Sequence, residues 1–178
     1  KAFAYCEGYK EFLNVAKTER EFVREAVLRL KEAGYEEFEE GKIYQPGDKV
    51  YQINRKKALL MSTFGKRPLE DGVRINVAHI DSPRLDLKPN PLYEKAEAAY
   101  FKTHYYGGLK KYQWTAIPLE LRGVVCVCRD GKMFKMKVCI GAEPEDPKFV
   151  ITDLLPHLAS KQMQEKMIDG IKAENMNL

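Results

Sequence analysis

The spacing of apolar residues switches once along this chain, and that switch limits the folds open to it. Phe22, Val23, Ala26, Val27 and Leu30 recur at helical spacing. Thr18-Glu19-Arg20-Glu21 stands before them as a capping box, in which Thr18 caps the first turn while Glu21 reaches back. Gly34 follows as a stop. The pattern predicts two helices, over 4–16 and 19–33, with a bend near Lys17-Thr18; one long kinked helix is the alternative. From Gly41 the period falls to two. Residues 49–54 and 58–63 flank Arg55-Lys56-Lys57 as a hairpin would, after a turn at Pro46-Gly47-Asp48. Val73, Ile75 and Val77 predict a further strand that ends at His79. Paired acidic residues, Glu36-Glu37 and Glu39-Glu40, read as a solvated turn. A helical hairpin followed by strands implies a mixed sheet with helices against it.

A second texture begins after Pro83. Pro89, Pro91, Gly107 and Gly108 punctuate an aromatic stretch from Tyr93 to Trp114. Residues 117–128 and 133–140 then predict strands joined at Asp130-Gly131, a strong short-hairpin signal. Residues 153–158 and 160–172 read as short helices. A β-rich module is therefore expected from about residue 92. Residues 174–178 read neither as a helix stop nor as a strand, so the chain is expected to be part of a longer one.

Composition narrows the function classes. The chain has 178 residues, 44% of them hydrophobic, enough for a core and unlike a disordered sequence. A net charge of +4, spread along the chain, argues against nucleic acid as the main partner. No apolar run reaches the roughly 18 residues of a membrane span. Residues 1–7 carry no apolar core of a secretory signal, so a cytoplasmic setting with reduced thiols is expected. Cys126-Val127-Cys128 is not a C-x-x-C pair. Its two thiols would share one face of a strand, and both are expected to be buried as small apolar groups.

Three histidines are the candidates for chemistry. His79 and Asp81 lie two apart at a strand end, so they would project together. A metal-bound imidazole needs its second nitrogen held, often by a carboxylate. The other reading of this pair is a strand-end His and a turn-forming Asp. His104, among tyrosines, reads as packing. His157, in Leu154-Leu155-Pro156-His157-Leu158, reads as a partly buried, satisfied histidine. One His is not a metal site, since catalytic zinc takes three protein ligands.

Longer motifs carry a resemblance. Residues 77–94, VAHIDSPRLDLKPNPLYE, resemble the signature of the aspartyl aminopeptidase / aminopeptidase I family. Residues 102–108 (KTHYYGG) and 111–114 (KYQW) resemble its bacterial, clostridial-type branch. Residues 17–21, 47–51, 153–159 and 175–178 fit as well. The resemblance covers essentially the whole chain.

The resemblance implies an α/β fold in which the N-terminal part of a co-catalytic zinc-peptidase domain, residues 1–91, is followed by an inserted β-rich dimerisation domain, residues 92–178. It implies a metal-dependent aminopeptidase that releases N-terminal residues from peptides, with two zinc ions activating a water; cobalt or manganese also suits such a site. His79 would be a metal ligand, and Asp81 would serve catalysis as the carboxylate orienting it. His157 would meet substrate in the neighbouring subunit of a homo-oligomer of dimers that build a larger shell. The family's bridging Asp, its Glu pair, a further carboxylate and a final His have no counterpart here. The chain alone is therefore expected to be inactive. The competing expectation is a non-catalytic assembly fragment of such an enzyme.

Overall fold

The computed structural model describes residues 1–178. They divide into two compact units, Lys1–Ser82 and Pro83–Leu178.

The first unit opens with helices α1 (Ala2–Val15) and α2 (Glu19–Glu32), close to the expected bounds. The Glu21 amide donates to Thr18 Oγ1 at 3.3 Å, and the Thr18 hydroxyl lies 3.4 Å from the Glu21 carboxylate. At the other end Gly34 takes a left-handed φ of 80°. Its amide donates to Lys31 and that of Tyr35 to Leu30, a complete Schellman closure. Phe12 meets Phe22 edge-on at 4.9 Å and ties the two helices together.

Strands β1 (Glu36–Glu37), β2 (Lys49–Asn54) and β3 (Ala58–Thr63) form a sheet in that order, with β1 parallel and β3 antiparallel to β2. The predicted hairpin is therefore present. Glu36-Glu37 is a short strand rather than a free turn, because its backbone pairs with Val50 and Tyr51. Helix α2 lies against β2 and β3. Val23, Val50 and Tyr51 make the buried centre of this unit.

Residues 72–83 form no regular structure, which corrects the strand predicted at 73–79. A strand is defined by its partner's backbone, and none lies beside this segment. Val73, Ile75 and Val77 are 63%, 75% and 89% exposed, so the alternation has nothing to pack on.

In the second unit β4 (Arg84–Lys95) pairs antiparallel with β5 (Ala98–Tyr106). Pro89 and Pro91 do not break β4. They fall in a register shift between Leu87 and Leu92, where a missing amide costs no ladder bond. Strands β6 (Leu121–Arg129) and β7 (Lys132–Ile140) form a separate ribbon turned at Asp130-Gly131, as predicted. The helices expected at 153–158 and 160–172 shrink to a turn, single 3₁₀ turns and α3 (Met167–Gly170).

Residues 176–178 do have a structural role. Leu178 and Phe101 exchange backbone hydrogen bonds of 2.7 and 3.0 Å, so the segment lines the free edge of β5. Thr103 is buried there, and its hydroxyl donates to the Met176 carbonyl. Ile151, Ala159 and Met176 form the small buried centre.

Candidate functional site

His79 and Asp81 come together, although by a different route from the one the sequence suggests. The irregular segment curls so that His79 Nδ1 lies 2.9 Å from the Asp81 backbone carbonyl and 3.4 Å from its carboxylate Oδ1. A carbonyl oxygen only accepts, so the contact places the proton on Nδ1 and leaves the Nε2 lone pair as the donor atom. The His79 side chain is 83% exposed, which leaves that atom open to an incoming ion.

No group of three or more His, Cys, Asp or Glu side chains is gathered to hold a metal. The donor set here is therefore one oriented imidazole, not a complete centre. Asp86, Glu94 and Glu97, the next acidic residues along the chain, belong to the second unit, the first two on β4 and the third in the turn after it.

His157 belongs to the second unit and sits exposed in a turn at 156–158, which corrects the partly buried reading. Leu154 and Pro156 of the same loop line a recess of about 390 Å³ together with Asp153, Gln162 and Met163. Asp153 Oδ1 organises this loop, accepting from the Leu154 amide at 2.8 Å and from Gln162 Nε2 at 2.9 Å. His104 is exposed; it stacks on Tyr105 at 5.6 Å and stands across β5–β4 from Asp86.

All four cysteines are unpaired and exposed, against the expectation of burial for Cys126 and Cys128. Strand β6 has β7 on one side and no second layer over either face, so nothing covers the thiols. The C-x-C spacing carries the signal for a sulfur-bearing face, which reading the residues as core passes over.

Residues 12–176 match the family described as Aminopeptidase I zinc metalloprotease (M18). A probable M18 family aminopeptidase 1 of Clostridium acetobutylicum is 46% identical across the whole chain, which spans 38% of that protein. The crystal structure of an M18-family aminopeptidase from Thermotoga maritima superposes with a TM-score of 0.84 at 44% identity, over 98% of this chain and 37% of that one. Aminopeptidase I from Borrelia burgdorferi gives a TM-score of 0.78 at 44% identity, over 86% of this chain and 37% of that one. With a match running through both units and every major motif, the chain belongs to the M18 family of aminopeptidase I zinc metalloproteases.

Proposed function

We propose that this chain contributes the first part of a metal-dependent aminopeptidase that releases N-terminal residues from peptides. The observation that carries the proposal is His79: an imidazole with Nδ1 held by Asp81 and Nε2 open, inside a chain of M18 sequence. In this reading His79 donates one ligand to a zinc centre, of two ions in the family's manner, that cobalt or manganese also suits. Asp81 is a positioning residue that holds Nδ1 and keeps the ring aimed. The chain's own donors do not complete that centre, so the remaining ligands belong to the part of the family's length that it does not span. The 178-residue chain alone is then inactive.

Residues 1–91, which take in the first unit and the start of β4, are the catalytic contribution. The β-rich remainder, 92–178, mediates homo-oligomer contacts and presents His157 to substrate in a neighbouring subunit of a cytoplasmic enzyme. Exposed Leu154, Leu155, Leu158 and Met163 support an assembly role for this second part, and that role also suits a non-catalytic assembly fragment.

The test is aminopeptidase activity of the full-length protein carrying this chain, with and without chelator, for wild type and His79→Ala. The proposal expects activity that needs metal and is lost in His79→Ala. Activity that survives both would overturn it. The intact mass of the polypeptide, read against 20.5 kDa, decides first whether the catalytic or the assembly reading applies to a given sample.

A further inference from the structure

The β6–β7 ribbon carries sulfur on one face in an arrangement that the aminopeptidase reading leaves unused. Cys126 and Cys128 are two apart on β6 and so share a face. The register sets Met133 directly opposite Cys128 and Lys135 directly opposite Cys126. All four side chains therefore project from the same side of a two-stranded ribbon. Cys126 and Cys128 are exposed, and Met133 is 68% exposed.

Spacing decides what two such thiols can do. Successive side chains on one strand face stand about 6.6 Å apart, too far for the Cβ separation of roughly 3.5–4.5 Å that a disulfide needs. A metal ion closes that gap, because two metal–sulfur bonds of about 2.3 Å span roughly 4.6 Å and rotation about χ1 supplies the rest. Opposed residues of an antiparallel pair lie about 4.5–5.5 Å apart, which brings the Met133 thioether within reach of the same ion.

The donor chemistry selects the metal. Three sulfurs, with no set of three His, Cys, Asp or Glu side chains gathered anywhere, do not satisfy zinc's tetrahedral demand. They do suit a soft, low-coordinate d¹⁰ cation. We propose that Cys126, Cys128 and Met133 form a binding site for Cu(I). Binding deprotonates both thiols and releases two protons to solvent, leaving a bis-thiolate complex of net charge −1. The Lys135 ammonium across from Cys126 offsets that charge. Cys139 lies on the same face but opposite Arg122, four residues along β7 from Lys135 and about 13 Å away, so it stays outside the site.

The experiment is an anaerobic titration of the reduced chain with Cu(I) in competition with a chromophoric Cu(I) chelator. The wild type is expected to withdraw one Cu(I) per chain, more strongly as pH rises. Cys126→Ser and Cys128→Ser each lose that site, while Cys6→Ser and Cys139→Ser retain it. Met133→Leu weakens binding, and X-ray absorption shows its sulfur coordination falling from three to two. Circular dichroism checks that each variant keeps the fold. Uptake that survives loss of both Cys126 and Cys128, or that falls equally with Cys6→Ser, would overturn the site. So would nitrogen or oxygen ligands in the wild-type spectrum, a measurement that needs no variant.

Discussion

His79 owes its ring orientation to two acceptors on one residue, and the two are separable by mutation. The Asp81 carbonyl at 2.9 Å belongs to the backbone, so Asp81→Ala keeps it and keeps the proton on Nδ1. What the variant loses is the carboxylate at 3.4 Å and the basicity that it lends. In the full-length protein Asp81→Ala is therefore expected to weaken metal binding about tenfold, at the low end for such partners, measured by competition with a zinc chelator. A loss as complete as that of His79→Ala would make Asp81 itself a ligand. The pairing of these residues was legible in H-x-D, but through a strand that does not form. Spacing names residues that can meet; only the surrounding backbone decides how. A second residue-scale test concerns Thr103, whose buried hydroxyl serves the Met176 carbonyl. Thr103→Val keeps the shape and orphans that carbonyl, and should cost about 1–3 kcal/mol in denaturant unfolding.

Hairpin turns show how unevenly a sequence announces its elements. Asp130-Gly131 and Ala96-Glu97 both hold left-handed φ values, 51° and 72° in the first and 53° and 61° in the second. The first pair is a residue signature and was legible. The second is not, since neither Ala nor Glu favours that conformation, and β4–β5 forms because the flanking strands pair. The strain makes a prediction. Glu97→Gly relieves a steric penalty of about 1 kcal/mol, partly offset by the entropy of Gly in the unfolded chain, so a net gain of up to about 1 kcal/mol is expected in thermal or denaturant unfolding. An unchanged or lower midpoint would mean that Glu97 holds a contact worth the strain. The 141–146 turn after β7 responds instead to pH. Asp146 Oδ2 accepts from the Gly141 and Glu143 amides at 3.0 and 3.1 Å. Those bonds, the Glu143 one first, hold its carboxyl below the ordinary Asp value. A lowered folded-state value means that the stabilisation is full above the ordinary value and disappears as pH falls through the lowered one. The Gly141 and Glu143 amide signals should therefore titrate with a midpoint below 3.8. Asp146→Asn should abolish that titration while keeping an acceptor in place.

At the scale of the whole molecule the governing quantity is unburied surface. The chain exposes 14688 Å². Two separate compact domains of its two units' sizes would together expose about 11,000 Å². The excess, on the order of 4,000 Å², is several times the roughly 800 Å² that one partner gives to a standard interface. The buried apolar centres are small: Val23, Val50 and Tyr51 in one unit, Ile151, Ala159 and Met176 in the other. The local elements were legible because caps, Asp-Gly and alternation are written in neighbouring residues. The exposure of Cys126, Cys128 and the 73–77 alternation was not, because alternation marks residues that could be buried and says nothing of whether a covering layer is present. The chain spans only 38% of its Clostridium relative. The expected behaviour of the isolated chain follows. It should self-associate with rising concentration in sedimentation or light scattering and bind a hydrophobic dye. Dye binding should fall when two exposed residues of one patch, Leu155 and Leu158, are replaced by Ser. A concentration-independent monomer that binds no dye would show that these surfaces close on themselves in solution, and that the fold is complete without a partner.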